Sequence, residues 1–208
     1  MPQIPIDLNT QSDIQIGVWR MDESEGEILR NYDLQEQFDR EASSFKSKTR
    51  RLEFLSVRAL LCDMLGYLPV VEHESSGRPF LHNGKNISIS HTKGYAVVVV
   101  SGRYNVAVDI EYNNDRVLRI AKRFLRTDED VSTVMEHQLC WCAKETLYKL
   151  HSNDNLSFMD MRTAGIKDKP NMGTGHFLIE NMKRRKTVEM SYMATGSYIL
   201  TFAFEKSL

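Results

Sequence analysis

Two acids close a short apolar run, Val106-Ala107-Val108-Asp109-Ile110-Glu111. β-Branched residues dominate it, Gly102 and Asn113-Asn114 punctuate its ends, and it reads as a buried strand. Residues two apart in a strand share a face, so Asp109 and Glu111 present two carboxylates side by side. Like charges this close, in apolar surroundings, make both ionised forms costly. A hard cation such as Mg²⁺ takes oxygen ligands, usually one or two carboxylates plus substrate phosphates, and would remove the conflict. A strand end at which both acids face water satisfies the same spacing.

A second stretch, Trp141-Cys142-Ala143-Lys144-Glu145-Thr146-Leu147-Tyr148-Lys149, reads as helix. Residues four apart share a helix face, so Trp141, Glu145 and Lys149 line one stripe. That stripe is either a surface Glu–Lys pair worth a few tenths of a kcal/mol, or a third carboxylate and a cation for the same phosphate site. Ser90-His91 falls where a strand ends. Adjacent strand residues point to opposite faces, so the pair is poorly placed for mutual proton transfer. A hydroxyl and an imidazole there can still bind phosphate oxygens, or be a turn-stabilising Ser beside an incidental His. Arg40, Lys46, Lys48, Arg50, Arg51 and Arg58 form a basic cluster, either a solvated face or the makings of a phosphate site.

These residues need elements to hold them. Strands are expected at Ile14 to Arg20, Ile87 to His91 and Ala96 to Ser101, with Lys93-Gly94 turning between the last two. Helices are expected at Leu34 to Ala42, at Lys48 to Leu65, where Leu52, Leu55, Ala59 and Leu60 recur and Gly66 ends the run, and at Asp115 to Phe124. Thr127, with an acid three residues on, is the expected N-cap of a further helix reaching Leu150. Beyond it, His176 to Glu180, Thr187 to Met193 and Ser197 to Phe204 read as strands, with Lys183-Arg184-Arg185-Lys186 as a solvated hairpin turn or, as the lesser alternative, a surface that meets an acidic partner.

The totals bound the rest. The chain has 208 residues, enough for one large domain or two small ones, and its net charge of -1 gives no global field for nucleic acid. An odd number of cysteines (Cys62, Cys140, Cys142) with no signal peptide ahead points to a reducing compartment, and Cys140-x-Cys142 has no zinc or redox spacing. No stretch reaches the roughly 18 apolar residues of a membrane span. A cytoplasmic protein with no membrane partner is expected.

Taken in order, Gly77-Arg78-Pro79, Ile87-Ser88-Ile89-Ser90-His91, Val108-Asp109-Ile110-Glu111 and Trp141 to Lys149 resemble the motifs of the 4′-phosphopantetheinyl transferase superfamily, in its longer, single-chain (surfactin-synthetase-activating-like) branch. Arg123 to Glu129 also looks like the family's stretch before the last helix. The resemblance covers about Arg50 to Leu150. It implies an α+β fold of two similar α/β halves in pseudo-twofold arrangement, residues 1–102 and 103–208, with the active site in the cleft between them and the metal site on the second half. It implies transfer of the phosphopantetheine arm of coenzyme A to a serine of an apo acyl or peptidyl carrier protein, releasing adenosine 3′,5′-bisphosphate, by a monomer that uses Mg²⁺ or Mn²⁺. Fatty-acid, polyketide and nonribosomal-peptide carriers all remain open as acceptors.

Carried over by position, the resemblance makes Asp109, Glu111 and Glu145 the metal carboxylates and Glu145 also a base toward the incoming serine. Lys149 would neutralise pyrophosphate charge, with Lys144 as a second candidate. Ser90 and His91 would contact coenzyme A phosphates, Arg78 and Pro79 would lie along the adenine nucleotide, and Arg51 and Arg40 would meet the 3′-phosphate. The chain departs from the family pattern at Ala107, where Gly is common, at Thr146, where Ser or Ala is usual, and at Arg78, where Lys is commoner. None of these removes a carboxylate. Two other functions use the same residues: a metal-dependent phosphohydrolase, and a coenzyme A or nucleotide sensor without turnover.

Overall fold

A computed structural model describes residues 3–4, 12–32, 41–74, 77–167, 169 and 172–206. The expected helix over Leu34 to Ala42 lies mostly outside these residues, and Arg40 lies wholly outside them. The fold is α+β. Residues up to Ser101 supply one six-stranded sheet: β1 (Gln3–Ile4), β2 (Ile14–Arg20), β3 (Val71–His73), β4 (Pro79–Leu81), β5 (Asn86–Thr92) and β6 (Tyr95–Ser101), in the order β1-β2-β6-β5-β4-β3. Residues from Tyr104 onward supply a five-stranded sheet: β7 (Tyr104–Tyr112), β8 (Met161–Ala164), β9 (Gly173–Asn181), β10 (Lys186–Ala194) and β11 (Tyr198–Lys206), in the order β7-β11-β10-β9-β8. Neighbouring strands run antiparallel throughout both sheets.

Each sheet carries one long helix. After the short α1 (Glu25–Asn31), helix α2 (Lys48–Leu65) lies on the first sheet. The Ser47 side chain caps its start and Gly66, left-handed at φ 74°, ends it. Leu55, Ala59 and Leu60 pack against Ala96, Val98 and Val100 of β6. Gly17 of β2 permits this approach, because a Cβ there would stand 2.8 Å from Leu60 Cδ1 and from Met64 Sδ. On the second sheet lie α3 (Arg116–Phe124) and α4 (Val134–Leu150). Helix α4 starts at a Thr133/Glu136 capping box, not at Thr127. Both threonines have an acid three residues on, but Glu129 turns inward to pair with Lys144, leaving Thr127 in a turn.

The strand alternation decides where the carboxylates go. On β6, Val97 and Val99 face away from α2, toward the second sheet. On β7, Val106, Val108 and Ile110 meet them, with Leu200 and Phe202 of β11. Ala107 therefore faces α4, inside that helix's core, and Asp109 and Glu111 share its face. β11 pairs with one edge of β7. Along the other edge runs β5, whose same-face residues stitch the sheets together. Asn86 Nδ2 donates to the Tyr104 carbonyl (2.9 Å), Ser88 Oγ accepts from the Val108 N–H (3.2 Å), and Thr92 Oγ1 accepts from the Tyr112 N–H (3.1 Å). These side chains satisfy backbone groups that an edge strand otherwise leaves open.

Candidate active site

The acid-bearing face of β7 looks onto the Trp141–Glu145–Lys149 stripe of α4. Asp109 is buried; its Oδ1 accepts from Ser90 Oγ (2.7 Å) and from Lys149 Nζ (2.8 Å). Its Oδ2 is buried with no hydrogen-bond partner among the described residues. Glu111 is half-buried and held from both sides, by Trp141 Nε1 at Oε1 (3.0 Å) and by Thr92 Oγ1 at Oε2 (3.4 Å). Burial and the neighbouring Asp109 push its carboxyl above the ordinary value. Glu145 is affected most. Burial first, then Asp109 and Glu111 against the opposing pull of Lys149, push it up to about 7. Lys149 also donates to the Val108 carbonyl (3.0 Å).

The Asp109 oxygen is buried without a hydrogen-bond partner among the described residues, and the Glu145 carboxyl is raised by burial first and then by the like charges beside it. A divalent cation with oxygen ligands fits that donor set. Among the described residues no group of three or more His, Cys, Asp or Glu forms a ready cage. Mg²⁺ does not need one, since it commonly takes one or two carboxylates, water and substrate phosphates.

The structure separates the other expected site residues. Ser90 faces Asp109, while His91 points the opposite way, to α2. Arg50 Nη1 donates to His91 Nε2 (3.1 Å), and His91 Nδ1 lies 3.5 Å from Glu53 Oε2. Arg has no acceptor, so His91 Nε2 accepts and Nδ1 carries the proton. Burial lowers the His91 pKa, Glu53 opposes, and Arg50 and Lys149 add to the lowering. Arg50, one residue from the expected Arg51, is thus the cation that reaches this corner. Arg51 turns away to Glu25 (3.0 Å) and the Phe45 carbonyl (3.0 Å). Lys144, the second candidate for a pyrophosphate cation after Lys149, is corrected by its surroundings: fully buried, it donates to the Phe124 carbonyl (2.7 Å), Glu129 Oε2 (2.7 Å) and the Phe158 carbonyl (3.3 Å). Its three N–H bonds are all used. Thr146 is buried with its hydroxyl 2.7 Å from that of Thr201, so the departure from Ser or Ala is accommodated.

Ridged by β5, two grooves flank the acids. One, of about 230 Å³, is lined by Arg78, Pro79, Ile87, Ile89, Tyr148 and Lys149. In it Arg78 donates to Asn105 Oδ1 (2.6 Å). The other, of about 600 Å³, is lined by Arg50, Arg58, His73 and His91 together with Glu41 and Glu53. A third, of about 230 Å³, runs from Glu111 and Trp141 to Arg116, Val117 and Ile120 of α3. Helix α3 exposes Arg116, Arg119, Lys122 and Arg123, contains no acid, and places none of those four in an ion pair among the described residues.

No protein-family model matches the chain, and no curated protein matches it. Among the described residues no helix is long and apolar enough to cross a membrane. Sequence reasoning named Arg50 only within the basic cluster and Trp141 only as a member of the helix stripe, and it missed Thr92. Thr92 was legible as the next same-face residue after Ser88 and Ser90.

Proposed function

We propose that this protein transfers the 4′-phosphopantetheine group of coenzyme A to a serine hydroxyl of an apo acyl or peptidyl carrier protein. The observation that carries this reading is the meeting of Asp109 and Glu111 of β7 with Glu145 and Lys149 of α4, flanked by grooves that bear Arg78, Arg50 and His91. Three carboxylates facing a lysine suit a pyrophosphate brought in with a cation, and the groove bearing Arg78 and Lys149, with no acid among its described lining residues, suits further phosphate on the same ligand.

In this reaction the serine oxygen attacks the β-phosphorus. The bond from that phosphorus to the bridging oxygen breaks, and adenosine 3′,5′-bisphosphate leaves with the bond's electrons. Glu145, in its carboxylate form, takes the serine proton directly or through a water. Lys149 would neutralise charge gathering on the pyrophosphate. Asp109, Glu111 and Glu145 would hold Mg²⁺ or Mn²⁺, which as a Lewis acid stabilises charge on phosphoryl oxygens. His91 with Arg50, and Arg78 with Pro79, bind the nucleotide end. The two halves, residues 1–102 and 103–208, meet along β5 and β7, and the helix-on-sheet build of each supports the paired arrangement expected of this family. The exposed cations of α3, at the end of the groove leading from Glu111, suit the acidic helices of carrier proteins.

Asp109→Ala and Glu145→Ala test the assignment. Each should abolish the mass gain of an apo carrier incubated with coenzyme A and Mg²⁺ while far-ultraviolet circular dichroism stays native. Full transfer by either variant would remove the carboxylates from the chemistry.

A further inference from the structure

We propose that Trp141 is a positioning residue: it orients the Glu111 carboxylate for the cation, and an aromatic clamp anchored on the buried Lys144 keeps it there. The inference rests on the transferase reading only for the presence of that cation. Glu111 is next to last in β7 and has two side-chain donors from two different elements, Thr92 of β5 and Trp141 of α4. The Trp141 bond is the shorter, 3.0 Å against 3.4 Å, and comes from a neutral group that has no acceptor and cannot ionise away. An indole is useful in this role only if its ring cannot turn, and here it cannot turn freely. Its ring stacks on Phe158 at 5.0 Å between centroids and meets Phe124 edge-on at 5.2 Å.

Both clamp residues are fixed in turn by one side chain. Lys144 Nζ donates to the carbonyls of Phe124 and of Phe158, and its charge is met by Glu129, whose side chain is likewise fully buried. Phe124 ends α3, and Phe158 opens a turn of 3₁₀ helix at residues 158–160. Lys144 thus ties two separate segments to α4 at the level of Trp141, and Trp141 passes that rigidity to a prospective metal ligand. This explains why a fully buried cation stands beside Glu145: it braces the carboxylate site without entering it. Groups that orient metal ligands from behind commonly change metal affinity by about 10- to 100-fold when removed.

The decisive variant is Trp141→Phe, which keeps a ring in the clamp and deletes the N–H. Mn²⁺ binding to the full chain with coenzyme A present is followed by electron paramagnetic resonance. We expect affinity to fall about tenfold or more, the metal-free unfolding midpoint to move by only a few degrees, and excess Mn²⁺ to restore most of the transfer rate. Phe158→Leu, which keeps an apolar filler but loosens the stack, should lower affinity in the same direction by a smaller factor. Unchanged Mn²⁺ affinity in Trp141→Phe, or a rate loss that excess Mn²⁺ does not recover, overturns the proposal. If the wild-type protein itself binds no Mn²⁺ beside coenzyme A, the transferase reading fails and the proposal with it; Mn²⁺ binding that is equal in wild type and variant overturns the positioning role alone.

Discussion

One residue apart on α4, Lys144 and Glu145 meet opposite surroundings. Lys144 points into the core and each of its N–H bonds has an acceptor, one of them the buried Glu129 carboxylate. Glu145 is pushed up to about 7 by burial first, then by Asp109 and Glu111, two more groups of its own sign, against the pull of Lys149. Both regions bury charge. One is saturated, and so holds elements together. The other is unsaturated, and so has use for a ligand. A buried charged group read by type alone says neither; its count of partners and their signs does.

The largest effect should come from breaking the saturated pair. Lys144→Met leaves Glu129 buried without its counter-charge, and such a loss costs about 3–5 kcal/mol. Urea denaturation of the variant should show a midpoint lowered to match, while the double change Lys144→Met/Glu129→Leu recovers most of the loss. A single variant as stable as wild type would mean that the pair is not the brace described.

The unsaturated region should respond with the opposite sign. A carboxyl whose folded pKa is raised to about 7 from 4.5 binds its proton more tightly in the native state than in the unfolded one. Its favourable contribution is therefore complete below pH 4.5 and lost as pH rises through about 7. In a chelator, wild-type stability should fall across that window. Glu145→Gln should match wild type near the acid end and exceed it at pH 8 by on the order of 1–2 kcal/mol, after allowance for partial exposure. Denaturation curves at both pH values decide it, and a Gln variant that is less stable at pH 8 contradicts the electrostatic account.

The smallest effect is at the rim. His91→Ala removes one partner from the Arg50–Glu53–His91 group. It should weaken coenzyme A binding on the order of tenfold, about 1.4 kcal/mol, with little change in rate at saturating coenzyme A. An unchanged affinity in calorimetry would take this corner out of the pocket.

Much of the scaffold was legible because its ends are marked. Helix α2 runs over the expected Lys48 to Leu65, closed by Gly66, and the β-branched strands β5, β6 and β7 fall within two residues of expectation. Local signals could not say which of two Thr-x-x-acid patterns opens α4, since that depends on where Glu129 is needed in the core. Nor could they pair β11 with β7, or set β5 against the open edge of β7, because those contacts join residues far apart in the chain. The site shows the same limit. Spacing placed Glu145 and Lys149 on one face and Asp109 and Glu111 on another. It did not separate Arg50 from Arg51, which leave α2 in different directions, nor see that the indole of Trp141 would be a donor to Glu111.

Phosphopantetheine transfer is the role we propose for the unsaturated carboxylates. The most direct test is the intact mass of a panel of apo carrier proteins incubated with the wild-type chain, coenzyme A and Mg²⁺, with a chelator control. The account predicts a metal-dependent gain of one phosphopantetheine on at least one carrier. Coenzyme A cleaved with no carrier modified would contradict it in favour of a hydrolase, and coenzyme A bound tightly but left intact with every carrier unmodified would contradict it in favour of a sensor.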